Sequence, residues 1–152
     1  MKIFYYCFAR SHSSVIAGHI HLGNLPLERL PSIKEIINAP GFDQSTVKEV
    51  GIPYFLGKDP QGREIYIIGF GSKQQLALQT IGFVLEGSNH QHDWRFINTL
   101  DKIGYLTKIG GFLSRSMGIV VLGRYLAARG IQKNYWRLVE LVEKTKELGS
   151  SD

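Results

Sequence analysis

The chain has 152 residues, of which 43% are hydrophobic and 20% charged, so it can bury the core of one domain. Its net charge of +5 favours an acidic partner, but the basic residues are spread along the chain, which argues against nucleic acid. The single cysteine excludes an intrachain disulfide, and no apolar run can span a bilayer, so the sequence predicts a cytoplasmic protein with no membrane contact.

The first thirty residues predict a strand, a polar turn and a helix. Lys2–Phe8 is β-branched or aromatic nearly throughout and does not alternate, which is typical of a central strand covered on both faces. Ala9–Ser14 interrupts this run, and Val15–Leu22 follows with helical spacing, ended by Gly23. Because the free N–H groups and the dipole at a helix start favour negative charge, this turn predicts an anion site.

The middle of the chain predicts a short helix and a hairpin. Isoleucines at helical spacing lie between Pro31 and Pro40. The β-rich runs Ile52–Gly57 and Glu64–Phe70 are joined by Asp59–Gly62, whose Asp-Pro-x-Gly pattern is turn chemistry. We therefore expect two antiparallel strands there.

The second half predicts further helices and one more strand. Gln74–Glu86 and Lys133–Leu148 have helical apolar spacing, and Asp93–Leu100 is interpreted as a strand. Tyr105–Met117 is predicted to be helical despite two glycines. Ile119–Leu122 is either a last strand or the end of that helix.

Together the elements predict a single three-layer α/β domain over residues 1–152, with a mostly parallel sheet and one β-hairpin. The succession of its first strand, turn and helix is like that of a P-loop or of a phosphatase loop. The glycines and lysine of a nucleotide-binding P-loop are missing. Cys7 and Ser14 match positions of a low-molecular-weight tyrosine phosphatase loop, but Ser13 stands where the arginine belongs. Cys7 is therefore interpreted as a core residue.

Polar residues of the turn are candidates for ligand binding and catalysis. Ser11, Ser13 and Ser14 can offer hydroxyl groups to phosphate oxygens, and Arg10 can pair with a charged oxygen. His12 can act as an acid or base. The alternative is that Ser13 or Ser14 is only an N-cap and His12 only a loop residue.

Two arginines further along the chain could supply positive charge. Arg115 and Arg124 lie beside glycines in apolar surroundings, where a charged group needs a partner such as a bound anion. Separately, Asp43 is a candidate partner of His12 in catalysis. The alternative for either arginine is a structural ion pair with a carboxylate. The candidate carboxylates are Asp43, Glu64, Asp93 and Asp101.

The histidines do not form a metal-binding pattern. His19 and His21 are two residues apart on a predicted helix and point to different sides. His90 and His92 are better explained as loop residues. The sequence therefore predicts no bound metal.

Segments along nearly the whole chain form a further pattern. They are Tyr5–Phe8, His12–Ala17, His21–Pro26, Gly41–Asp43, Gly57–Gly71, Gly110–Arg115 and Gly123–Arg124. This pattern resembles a family from spore-forming Firmicutes known as domain of unknown function three-one-eight-nine. The resemblance implies a bacterial cytoplasmic protein and names neither a substrate nor a cofactor.

The sequence predicts that the protein binds a phosphorylated small molecule or nucleotide at the first strand–helix turn. If it is an enzyme, phosphoryl transfer or phosphoester hydrolysis is the expected reaction. A non-catalytic protein of a spore-forming bacterium, which senses a ligand or docks a partner through Tyr135 and Trp136, stays an open alternative. The oligomeric state is also open, a homodimer included.

Overall fold

The computed structural model describes residues 1–88, 93–104 and 120–147. These residues form four β-strands, five α-helices and two single-turn 3₁₀ helices. In chain order they are β1 (Lys2–Cys7), α1 (Ser13–His21), α2 (Ile33–Asn38), the 3₁₀ turn Val47–Glu49, β2 (Tyr54–Lys58), β3 (Glu64–Gly69), α3 (Gln74–Gly87), β4 (Trp94–Asn98), the 3₁₀ turn Leu100–Lys102, α4 (Val120–Lys133) and α5 (Tyr135–Glu147). The predicted helix at Tyr105–Met117 lies outside the described residues.

The strands form one mixed sheet in the order β2-β3-β1-β4. β1 pairs in parallel with β3 on one side and with β4 on the other. β2 and β3 are antiparallel, which confirms the predicted hairpin. After Lys2, every residue of β1 is buried, as its unbroken apolar run predicts for the central strand. The fold is therefore α/β with a mostly parallel sheet.

Helices pack on both faces of this sheet. Ile3 and Tyr5 of β1 point into the larger core, which they share with α1, α2, α4 and α5. Phe4 and Tyr6 point into a smaller core, against which α3 packs. Alternate residues of one buried strand thus serve two different cores.

The structure corrects two predictions of local structure. Val120–Leu122 is the start of α4, so the interpretation of this run as a strand is wrong. Gly123 and Gly130 weaken the helical signal, yet both are buried, so tertiary packing stabilises the helix despite its low propensity. The N-cap of α1 is His12, so neither Ser13 nor Ser14 is the cap, and the helix begins two residues before the predicted Val15.

Among the described residues, no helix combines the length and the apolar character that a membrane span requires.

Candidate functional site

The carboxyl ends of β1, β3 and β4 lie at one edge of the sheet. The strands β2 and β3, which follow β1 in the chain, lie on one side of β1, and the next strand, β4, lies on its other side. The strand order therefore reverses between β1 and β4. In open α/β sheets, ligands bind outside the carboxyl ends of the strands at such a reversal. The turn that follows β1 and leads into α1 lies at this place.

This turn is pressed against the end of β3. A Cβ atom at Gly69 would lie 2.8 Å from the backbone nitrogen of Arg10 and from the carbonyl carbon of Ala9, so only glycine fits there. Arg10 has a φ of 55°, in the left-handed region that a residue with a Cβ rarely adopts. Backbone strain of this kind is common at functional sites.

His12, Asp43 and Arg124 come together beside the start of α1. Nε2 of His12 lies 3.1 Å from Oδ1 of Asp43, and Nε of Arg124 lies 3.6 Å from Oδ2 of the same carboxylate. The Asp43 side chain is 1% exposed, against 12% for His12 and 35% for Arg124. The structure therefore places a buried carboxylate between a partly exposed imidazole and a partly exposed guanidinium.

The backbone and a neighbouring ring orient this group. The N–H of Asp43 donates to the carbonyl of Ser11 at 2.8 Å, and Asp43 also has a φ of 55°. The edge of the His12 ring packs against Phe42 with 5.1 Å between centroids. Because an ionised carboxylate only accepts hydrogen bonds, Nε2–H of His12 donates to Asp43. Within the described part of the chain, Nδ1 of His12 has no hydrogen-bond partner.

Arg10 is buried in the same turn but faces other partners. Its Nη2 donates to Oε1 of Glu49 at 2.5 Å, and its guanidinium lies 5.1 Å from the centre of the Tyr54 ring. Hydrogen bonds from the backbone and the hydroxyl of Thr46, followed by the charge of Arg10, lower the pKa of Glu49. Glu49 is thus held as an ionised partner for Arg10.

Each of the two arginines has a buried Nε donor that makes no hydrogen bond among the described residues, although that of Arg124 lies 3.6 Å from Oδ2 of Asp43. Among the described residues, the buried side-chain nitrogen and oxygen atoms without a hydrogen bond are Nε of Arg10 and Nε of Arg124. A buried donor without a partner costs about 1–3 kcal/mol, which an anion could offset. Both arginines were chosen from the sequence as anion ligands.

The serines of the turn bond to protein groups. Ser13 Oγ lies 2.9 Å from Thr99 Oγ1, and Ser14 Oγ lies 3.1 Å from the sulfur of Cys7. Ser11 Oγ is 2.5 Å from Ser45 Oγ. These three hydroxyls therefore tie the turn to the rest of the fold.

Residues 43–51, here called the covering segment, lie over the turn. Besides the contacts of Asp43 and Glu49, Ser45 donates a short hydrogen bond to the carbonyl of Ala9, and Gly51 N–H donates to the carbonyl of Gly69 at 2.7 Å. The sequence prediction did not include Ser45, Glu49 or Thr99. The sequence does contain a pattern that points to Glu49: Thr46 is followed three residues later by Glu49, which is the spacing of a capping box.

A second His–Asp pair lies at the opposite edge of the sheet. His21, the last residue of α1, accepts a hydrogen bond from the Tyr5 hydroxyl at 2.7 Å and has Nε2 3.0 Å from Oδ2 of Asp59. Asp59 also accepts bonds from Arg63 Nε and from the backbone N–H groups of Arg63 and Gln61. The His21 and Asp59 side chains are fully buried. Burial lowers the pKa of His21 to about 4, so this imidazole is neutral at physiological pH.

A shallow groove of about 370 Å³ lies between the end of α1 and α2, away from the turn. His19, which lines it, bonds through Nε2 to the carbonyl of Pro40 and through Nδ1 to Asn24. None of the described residues that the sequence predicts to bind ligand lines this groove. Arg115 lies outside the described residues.

Across the ranges the structure describes, no group of three or more His, Cys, Asp or Glu could hold a metal ion.

The fold and the site define an α/β protein whose candidate site lies where the strand order of a mostly parallel sheet reverses. The chain belongs to the family described as protein of unknown function (DUF3189), whose model matches residues 2–147. No curated protein and no solved structure matches the chain. The family resemblance seen in the sequence is confirmed.

Proposed function

We propose that this protein binds a phosphorylated small molecule or nucleotide at the turn between β1 and α1. One observation carries the proposal: His12, Asp43 and Arg124 converge beside the start of α1, where the strand order reverses. A helix start and a guanidinium together suit a phosphate group. Nε of Arg10, which makes no hydrogen bond among the described residues, supports the same ligand.

If the protein is an enzyme, His12 acts as the acid or base in phosphoryl transfer or phosphoester hydrolysis. Asp43 accepts the Nε2–H of His12, which leaves the lone pair on Nδ1 to take a proton from water or a substrate hydroxyl. The same proton can then pass to the leaving oxygen. Asp43 would set the tautomer and orientation of the imidazole, as buried carboxylates do in other acid–base sites.

The proposed site is like phosphate loops in its order of strand, turn and helix, but it takes its positive charge from elsewhere. A P-loop supplies a lysine at the helix start, whereas here Arg124 of α4 lies beside the turn. The phosphate would be held by the backbone amides of the first turn of α1 and by this guanidinium. A cytoplasmic location and a spore-forming host stay predictions.

A non-catalytic ligand sensor is the second candidate, and the covering segment favours it. Asp43, Ser45 and Glu49 of this segment each contact the turn. A ligand that reaches the amides of α1 must displace part of these contacts, so its binding would move the segment. Such a coupled movement is what a sensor requires.

Thermal unfolding of the full chain with inorganic phosphate, nucleotides and sugar phosphates tests the binding site. A ligand at ten times its dissociation constant adds about 1.4 kcal/mol of stability. We expect at least one of these compounds to raise the melting midpoint of the wild type at constant ionic strength. The rise should be lost in Arg124→Gln and kept in Arg129→Gln, a matched control on the same helix whose exposed side chain donates to Gln132. Equal responses in both variants, or no response in the wild type, would refute the proposal.

Turnover of p-nitrophenyl phosphate separates the two candidates. An enzyme should release phosphate, and His12→Gln should abolish the release while phosphate still binds. A sensor should bind without turnover. In that case protease cleavage within residues 43–51 should change on ligand addition, because the covering segment would move.

A further inference from the structure

The covering segment is fastened to the turn by an ion pair whose two sides differ in burial. Nη2 of Arg10 donates to Oε1 of Glu49 at 2.5 Å, and the exposed fraction is 8% for the Arg10 side chain and 37% for that of Glu49. Water therefore reaches the carboxylate but hardly the guanidinium. If Glu49 moved away, its carboxylate would be hydrated, whereas the Arg10 charge would need another anion, because a buried unpaired charge is costly.

Glu49 is held as a resident anion beside this guanidinium. Its Oε2 accepts hydrogen bonds from the backbone N–H of Thr46 at 2.5 Å and from the Thr46 hydroxyl at 3.0 Å. These bonds, and the charge of Arg10, lower the pKa of the Glu49 carboxyl, so it stays ionised at neutral pH. The Glu49 carboxylate thus occupies a position next to Arg10 that suits a phosphate oxygen equally well.

A phosphate group matches Arg10 better than Glu49 does. A guanidinium offers five N–H donors in a planar fork, and the oxygens of a phosphate can bind two of them side by side. Among the described residues, Glu49 takes one of these donors, and the buried Nε of Arg10 bonds to none. A phosphate oxygen at Nε would therefore satisfy a donor that Glu49 leaves unpaired.

The covering segment can open without disrupting a core. Of its residues whose burial the structure describes, none is fully buried, and none of them belongs to either core. Gly41, shortly before the segment, and Gly51, at its end, have φ values of 86° and 84°. A segment that is held mainly by polar contacts and flanked by glycines opens locally at a lower cost than a packed element.

We propose that Glu49 is an autoinhibitory carboxylate, which competes with a phosphate for Arg10 and keeps the covering segment over the turn until a phosphate replaces it. The proposal rests on the phosphate site proposed at this turn and adds the group that regulates access to it. It applies to an enzyme and to a sensor alike, because in both a ligand must reach the turn. The apparent affinity for phosphate is then reduced in proportion to the fraction of molecules in which Glu49 still occupies Arg10.

Nuclear magnetic resonance titration of the full chain with inorganic phosphate, at constant ionic strength, tests this competition. We expect Glu49→Gln to lower the dissociation constant of phosphate by at least about fivefold, because a neutral amide competes less well for the guanidinium. Glu140→Gln is the matched control, since it also removes one negative charge from an ion pair, that of Glu140 with Lys144 on α5. This control should change the constant by less than about twofold.

Variants of Arg10 show whether Glu49 acts through this residue. Arg10→Gln should bind phosphate more weakly than the wild type, and adding Glu49→Gln to it should change the constant by less than about twofold. An equal gain from Glu49→Gln with and without Arg10 would overturn the proposal, because the effect would then be one of overall charge.

The titrations also separate this proposal from the proposed site. Phosphate that binds the wild type and Glu49→Gln equally well would overturn the competition and leave the phosphate site standing. Binding to Glu49→Gln alone would support the competition. No binding of phosphate to any of these proteins would overturn the competition, whereas the site itself stands or falls by the thermal screen with nucleotides and sugar phosphates.

Hydrogen exchange in the wild type tests the movement without any variant. The Gly51 N–H donates to the carbonyl of Gly69 at 2.7 Å and fastens the end of the covering segment to β3. We expect saturating phosphate to speed the exchange of this N–H by at least about threefold. The N–H of Arg63, which donates to Asp59 at the opposite edge of the sheet, should exchange at an unchanged rate. Slower or unchanged exchange at Gly51 would overturn the proposal, because the segment would then stay closed over the ligand.

Discussion

A histidine lies at each end of α1, and each is paired with an aspartate from another part of the chain. The two His–Asp pairs differ in their burial and in their further hydrogen-bond partners. At its start, His12 contacts Asp43 in a group that includes the partly exposed Arg124. At its end, His21 contacts Asp59 in a network with Arg63 and Tyr5 that excludes water. The distances are alike, 3.1 and 3.0 Å, so distance alone does not distinguish a reactive pair from a structural one.

The two groups differ in how many of their donors and acceptors form hydrogen bonds within the protein. Both oxygens of Asp59 accept two hydrogen bonds each, and both nitrogens of His21 are in use. Near Asp43, by contrast, Nε of Arg124 forms an ion pair at 3.6 Å, beyond hydrogen-bond distance, and Nδ1 of His12 has no hydrogen-bond partner in the described part of the chain. A saturated buried network stabilises a fold, whereas unused donors and acceptors are available to a ligand. We therefore interpret the His21 pair as structural, and the His12 pair is the one that we propose to be functional.

The largest expected effect is that of Asp59→Ala. This change leaves the Arg63 side chain, which is 6% exposed, without its carboxylate and also removes a partner of His21. Breaking a buried ion pair in this way costs about 3–5 kcal/mol of unfolding free energy, measured by denaturant titration. Asp101→Ala, at an exposed carboxylate that bonds to Asn98, should cost about 0.5 kcal/mol or less. A loss of under about 1 kcal/mol for Asp59→Ala would show that the network is not a major stabilising element.

Acid should destabilise the protein through His21. Burial lowers the pKa of His21 from 6.5 to about 4, so between these values the unfolded chain binds a proton that the folded chain does not. The stabilising contribution is complete above pH 6.5 and is lost as the pH falls towards 4, a total of about 3 kcal/mol. Unfolding free energies at about pH 7 and pH 4.5 should therefore differ clearly in the wild type and much less in His21→Gln. The same slope in both proteins would contradict this assignment.

A smaller loss is expected for Tyr5→Phe. The hydroxyl of Tyr5 donates to Nδ1 of His21, and its removal leaves that buried acceptor unpaired. We expect the free energy of unfolding to fall by about 1–2 kcal/mol. Because His21 and Asp59 remain, the acid dependence should be kept, which makes this variant the control for His21→Gln. A Tyr5→Phe protein that has lost the acid dependence would show that the slope does not come from His21.

The smallest change in stability is expected for His12→Gln. The side-chain amide of glutamine can donate to Asp43 in place of Nε2–H, so the buried carboxylate keeps a hydrogen bond. The loss should be about 0.5 kcal/mol or less. A loss as large as that of Asp59→Ala would remove the difference between the two pairs and would favour a structural role for His12 as well.

Much of the local structure was predictable because its signals are local. The unbroken apolar run of β1, the Asp-Pro-x-Gly turn between β2 and β3 and the apolar spacing of α3 are each confirmed by the structure. The helix α4 was missed because Gly123 and Gly130 lower its helical propensity, and its stability comes from burial against other elements.

The candidate site was predicted only in part. His12 and Asp43 were chosen as partners from residue type, and the structure places them in hydrogen-bond contact. The partners of Ser13 and Arg10 were not predicted, since Thr99 is 86 positions from Ser13 and Glu49 is 39 positions from Arg10. The His21 and Asp59 pair was also missed, although each residue stood in a predicted element.

The sequence by itself determined the strand, turn and helix at the start of the chain, because apolar periodicity and turn residues act over a few neighbours. It also indicated that polar groups gather in this turn. The tertiary structure alone decided which of these groups remain available, because burial and hydrogen-bond saturation depend on segments far away in the chain. Asp43 and Asp59 are both aspartates beside a histidine of α1, and only the packing around them separates a candidate ligand site from a stabilising network.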